Sequence, residues 1–204
     1  MKKKINVFGL LFFVSIVYLH AQSQYFYYYD GKKQYFELDT KHVFISVSEK
    51  DTAYSFTSER IEQTPFQMDI PKGMLSKTIH KRFCAKLSFN DNLSEREYLE
   101  KLSEIKNSRN DIIVSPYFKE NVGLSNFFYV KLKTLSDTVL LRQEAEKAQV
   151  IIAWQNEFMP LLFIASVTTN SRYNAMEVAN PFYETGLFEY TEPDCRRVHF
   201  KLSL

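Results

Sequence analysis

The residues able to do chemistry are few and scattered. Outside the first 21 residues the histidines are His42, His80 and His199, and the cysteines are Cys84 and Cys195. His80 lies four residues before Cys84. On one strand the two side chains would share a face about 13 Å apart, too far for a thiol to be activated by the imidazole. No CxxC pair and no Cys/His cluster at metal spacing occurs, so no metal or other cofactor is expected. There is no GxSxG elbow, HExxH helix, P-loop or dinucleotide fingerprint. Glu157, in the turn Gln155-Asn156-Glu157-Phe158-Met159-Pro160, is an isolated carboxylate whose simplest role is to be solvated. The acidic run Glu95 to Glu104 reads as a solvated helix face. The chain is therefore not expected to be an enzyme.

The chain start reads as an address. Lys2-Lys3-Lys4 precedes an apolar stretch, Ile5 to Leu19, and His20-Ala21 leads into polar Gln22-Ser23-Gln24. That is the pattern of a secretory signal peptide, residues 1–21, cleaved after Ala21. An exported location follows: periplasmic, cell-surface or secreted. Removing those residues takes three lysines and no acid, which turns a formal charge of +2 into −1. A basic surface for nucleic acid is then unsupported. No later apolar run could span a membrane, so no membrane partner is expected after cleavage. The two cysteines are too few for a disulfide scaffold, and a Cys84–Cys195 bridge stands beside the simpler reading of an unreactive strand thiol.

The elements that must position any site are legible in pattern. The whole chain has 204 residues, 45% apolar and 16% aromatic, with only 5 glycines; this suits a strand-rich globular fold and leaves little room for a glycine-built phosphate site. Residues 22–123 read as an α+β part. It opens with an aromatic hairpin, Tyr25 to Tyr29 and Gln34 to Leu38, around Asp30-Gly31. A strand at Val43 to Val47 follows, then a loop over 49–78, a strand at Arg82 to Phe89, a helix from Ser94 to Lys106 with a Ser94/Glu97 capping box, and a strand from Asp111. Gly123 is read as a turn at the boundary. Residues 124–194 then run βαββαβ: strand Asn126 to Lys133, a helix to about Ala148, strands Val150 to Trp154 and Leu161 to Thr168, a helix Asn174 to Thr185, and a strand Leu187 to Glu192. This is the order of a ferredoxin-like plait with two helices on one face of an antiparallel sheet. Pro181 predicts a kink or break in the last helix near Glu177 to Pro181. Residues 195–204 are left as a tail.

Three stretches carry a family likeness: Asn126-Phe127-Phe128-Tyr129-Val130-Lys131-Leu132, the turn from Gln155 to Leu161, and Phe182-Tyr183-Glu184-Thr185-Gly186-Leu187-Phe188-Glu189-Tyr190-Thr191-Glu192-Pro193-Asp194. Together with the aromatic hairpin after the signal, they resemble the N-terminal pro-region of exported subtilisin-like serine peptidases (subtilases) of Bacteroidetes-type bacteria. The catalytic domain of that family has no counterpart in this chain. The resemblance implies a propeptide-like fold that assists, binds or inhibits a subtilisin-like protease, with its sheet on two surface helices of the enzyme and its C-terminal end in the active-site cleft. By position, Glu157, Pro193, Asp194, Cys195 and Arg196 become the candidate protease contacts. The rival readings are a remnant pro-region of a truncated protease gene and an exported module that binds another partner through its aromatic strands.

Overall fold

The computed structural model describes residues 25–48, 66–67, 82–108 and 112–197. The signal segment, the loop over 49–78 apart from its two-residue strand, His80 and His199 lie outside the described residues.

The chain opens with the expected hairpin. Strand β1 (Tyr25–Tyr29) pairs antiparallel with β2 (Lys32–Phe36), with Tyr29 opposite Lys32. Asp30 and Gly31 both take positive φ, 48° and 71°. That is the geometry in which a two-residue turn matches strand twist, and Gly31 adopts it without a steric penalty.

The remaining strands form one antiparallel sheet. They are β3 (Leu38–Ser48), β4 (Phe66–Gln67), β5 (Arg82–Phe89), β6 (Ile112–Phe118), β7 (Val122–Lys131), β8 (Ile151–Gln155), β9 (Leu162–Ser166) and β10 (Tyr190–Arg197). The order runs β4-β5-β3-β6-β7-β9-β8, and β10 pairs with β7. The two halves expected from sequence thus share a sheet. Gly123 is not a turn at a boundary but part of β7, opposite Tyr117. The chain reverses one step earlier, where Glu120 and Asn121 take positive φ. Gly123 is needed for another reason: a Cβ there would lie 2.4 Å from Cδ2 of Phe44. The glycine lets the Phe44 ring of β3 lie directly on β7.

Three helices among the described residues cover the sheet. Helix α1 (Glu95–Ser108) carries the expected capping box: Ser94 N donates to Glu97 Oε2 (2.9 Å), and Glu97 N donates to Ser94 Oγ (3.3 Å). It covers Val43, Ile45, Leu87, Phe89, Ile112 and Val114 with Tyr98 and Ile105. Its other face pairs Arg96 with Glu100 and Lys101 with Glu104 in solvent. Helix α2 (Thr138–Lys147) follows a short 3-10 turn, in which Thr134 N donates to Asp137 Oδ2 (2.8 Å). Helix α3 (Ala175–Glu184) begins at Asn174, whose side chain accepts from Met176 N and Glu177 N. Helices α2 and α3 close the larger core over Phe128, Val130, Phe163 and Ala165.

Of the kink or break expected at Pro181, the break does not occur: α3 is continuous from Ala175 to Glu184. The missing amide costs about 3 kcal/mol. Burial of Ala175, Met176, Val178, Ala179 and Phe182 on the same helix offsets it. Glu177, the residue whose carbonyl loses its partner, is on the exposed side, where water can take its place.

From β7 onward the chain runs β7-α2-β8-β9-α3-β10, with spatial order β10-β7-β9-β8 and every neighbouring pair antiparallel. The last strand is longer than expected: it runs to Arg197 and so includes the first three residues of the supposed tail.

Candidate functional site

Alternation along a strand separates the two faces of the β7–β10 unit. Thr191 donates from Oγ1 to Ala179 O on α3, so it points toward the helices. Phe128, Val130, Phe163 and Ala165 share that side. Their neighbours Phe127, Tyr129, Lys131, Leu162, Ile164, Tyr190 and Glu192 therefore lie on the opposite face. No described helix packs on it. Register carries one row straight across four strands: Glu192 on β10, Tyr129 on β7, Ile164 on β9 and Trp154 on β8. The Trp154 ring meets Phe127 edge-on, with centroids 5.3 Å apart. Phe127, Leu162 and Ile164 are buried on this face, whereas Tyr129, Trp154, Tyr190 and Glu192 are half-buried. A broad aromatic surface with charge at its β10 edge results. There Lys131 pairs with Glu189 (2.7 Å) and lies 5.7 Å from the Tyr190 ring centroid. Partial burial pushes the Glu192 carboxyl up from its ordinary value.

The sequence-derived candidates fall into two groups. Glu157 sits at the exposed β8–β9 turn and makes no hydrogen bond or ion pair among the described residues. Its neighbours are fixed. Asn156 Oδ1 accepts from Phe158 N and from Met159 N, each at 2.9 Å, and Gln155 Nε2 donates to Pro160 O at 2.6 Å.

Pro193, Asp194, Cys195 and Arg196 are not a free tail. They are the second half of β10, paired along β7, with Pro193 opposite Phe128 and Arg196 opposite Gly123. Between Pro193 and Cys195 the register slips, because β7 spends two extra residues there. Asp194 lies at this bulge and accepts from Ser125 Oγ and from Arg196 Nε, both at 2.8 Å. Bulges re-aim side chains at the edge of a ladder, and here the result is a locked carboxylate–guanidinium pair beside the open face. Pro193 is buried. Cys195 is a free thiol packed against the larger core, its ionisation pushed up to about 12, chiefly by burial. That burial disfavours the reactive thiolate, and Cys195 carries no disulfide in this structure. The side chain of Cys84 lies outside the described residues, although its backbone pairs with Ser46 as the strand pattern requires.

Tyr129, Trp154, Tyr190 and Glu192 were not singled out from sequence. One signal was available: Asn126 to Leu132 is apolar at both parities, which marks a strand with two packing faces. The aromatic hairpin behaves as expected of a packed element, but both its faces are used. Tyr25 and Phe36 pack on Phe118. Tyr28 stacks on Tyr183 at 4.2 Å and donates from its hydroxyl to Glu184 Oε1. Among the described residues no three metal-binding side chains gather, and no helix is long and apolar enough to cross a membrane.

Comparison with known proteins finds no matching family model, no matching curated protein and no matching solved structure.

Proposed function

We propose that the chain is an exported, non-catalytic, propeptide-like protein that binds and inhibits a subtilisin-like serine protease, and that its β7–β10 unit is a ferredoxin-like plait. One observation carries the reading. The sheet face opposite α2 and α3 carries half-buried Tyr129 and Tyr190 beside Trp154, and no described helix packs on it. Such a face suits packing on the helices of another protein, since aromatic side chains supply large contact area at low entropic cost. The βαββαβ order and the stretch from Phe182 to Asp194 support the choice of partner.

The open face and the Glu157 turn make the main contact. Asp194 and Arg196 flank it from a fixed strand, and any segment entering the protease cleft begins after Arg197. The test is inhibition. The mature chain, titrated against a purified subtilisin-like protease with a chromogenic peptide substrate, is expected to inhibit in a saturable way. No inhibition across several such enzymes would end the proposal.

A second reading has its own observation. On the Tyr28 face of the hairpin, Lys33 lies 4.0 Å from the Phe26 ring centroid, Phe26 contacts Tyr35, and Tyr35 is 60% exposed. This patch suits an exported binding module with a different ligand. No inhibition of any subtilisin-like protease by the wild-type chain, together with binding to another exported protein that is lost on Tyr35→Ala, would favour it.

A further inference from the structure

The geometry points to the tip of the β8–β9 hairpin, Glu157-Phe158-Met159, as a knob that seats Phe158 in an apolar pocket with a positively charged rim on the partner protease. This rests on the reading above and names the part of the chain that makes its most specific contact. Phe158 is 92% exposed, further out than any other large apolar side chain among the described residues, and Met159 beside it is 52% exposed.

An exposed phenylalanine on a loose loop would mean little. This one is held. The two amides donated to Asn156 Oδ1 form the inside of the turn, Gln155 Nε2 clamps Pro160 O, and Asn156 N and Leu162 N donate to Leu162 O and Met159 O, each at 2.8 Å. The tip is ordered before binding, so a partner does not have to order its backbone.

The chemistry of the pocket follows from the turn. Residues 155–160 carry one charge, Glu157, and no basic residue. A carboxylate beside an apolar knob is matched by lysine, arginine or a helix N-terminus at the pocket rim. It is poorly matched to an anionic lipid surface, which attracts basic segments. Trp154 on the open face immediately precedes the turn, so the knob continues the proposed interface along the same hairpin.

The test compares the wild-type mature chain with Phe158→Ala, Glu157→Gln and the helix-face control Val139→Ala in the protease titration. Because Phe158, Glu157 and Val139 are all exposed, thermal melting should be unchanged in every variant. The expected inhibition constant rises by about tenfold or more for Phe158→Ala, by about two- to fivefold for Glu157→Gln, and not at all for Val139→Ala. Wild-type-like inhibition by Phe158→Ala would overturn the knob and leave the protease reading standing. Failure of the wild-type chain to inhibit would remove the protease reading, and the knob with it. Binding to phosphatidylserine-containing vesicles that is lost in Phe158→Ala would overturn the assignment to a protein pocket.

Discussion

Ser46 on β3 donates its hydroxyl to Oδ1 of Asn126 on β7 across 2.9 Å, joining residues 80 apart in the chain, both buried. Asn126 Nδ2 donates in turn to Ser166 Oγ at 2.7 Å, and Ser166 Oγ donates to Val167 O at 2.8 Å. The three side chains form a polar seam where the N-terminal strands meet the β7–β10 unit. A buried network of this kind specifies one arrangement only while every member is paired. Asn126→Ala removes the Oδ1 that accepts from Ser46 and the Nδ2 that donates to Ser166, and should cost on the order of 2 kcal/mol, read as a lower urea midpoint for the whole chain. A two-step transition in that variant, with the halves unfolding separately, would show the seam to be the main coupling between them.

Gly123 supports the same junction by what it lacks. A methyl group there would lie 2.4–2.9 Å from three ring carbons of Phe44. Gly123→Ala should therefore destabilise by about 1–3 kcal/mol, the usual cost of overpacking. Phe44→Leu in the same chain should recover part of that loss. A double-mutant cycle checks it, and strictly additive losses would mean that the ring is not the obstacle.

Tyr98 repairs a gap in the sheet. The β3–β6 ladder slips between Leu38 and Val43, and Pro116 has no amide to offer. The buried Tyr98 hydroxyl accepts from Tyr117 N at 3.1 Å and donates to His42 O at 2.8 Å. Tyr98→Phe keeps the ring but strands both backbone groups. A loss of about 2 kcal/mol is expected, with faster amide exchange at Tyr117 than in the wild type. Unchanged exchange there would show that water replaces the hydroxyl.

Glu192 gives a pH dependence of defined sign. Burial raises its folded-state pKa above the unfolded value, so the folded chain holds its proton to higher pH. The penalty is absent below the unfolded pKa and develops as pH rises through the folded pKa. Glu192→Gln should raise the melting temperature at pH 7 and leave it nearly unchanged at pH 3.5. An equal rise at both values would mean that charge burial is not the cause.

Local chemistry carried most of what could be read before the structure. Asp30-Gly31 and the Ser94/Glu97 box act within a few residues, and alternation placed Arg82 to Phe89 correctly as β5. What escaped depends on partners distant in sequence. Gly123 reads as a turn because glycine usually marks one; only the Phe44 ring, 79 positions away, explains it inside a strand. Pro181 reads as a helix break because the offsetting burial of Met176 and Phe182 is tertiary. Pro193 to Arg196 read as the approach to a tail because the bulge that keeps them paired is formed by extra residues in β7, not in β10. Of the candidate site, Glu157 was visible as a turn carboxylate, but the row Glu192-Tyr129-Ile164-Trp154 exists only once four strands are in register.

The central claim is that the sheet face carrying Trp154 meets a subtilisin-like protease. Oxidative footprinting tests it most directly, since Trp154 is the sole tryptophan of the chain. A chain of residues 22–204 is labelled alone and with a stoichiometric amount of a subtilisin-like protease whose nucleophilic serine has been replaced. The account predicts that oxidation of Trp154 and Tyr129 falls severalfold in the mixture, while Leu135 and Val139 on the helix side are labelled as before. Equal labelling of Trp154 with and without the protease would contradict it.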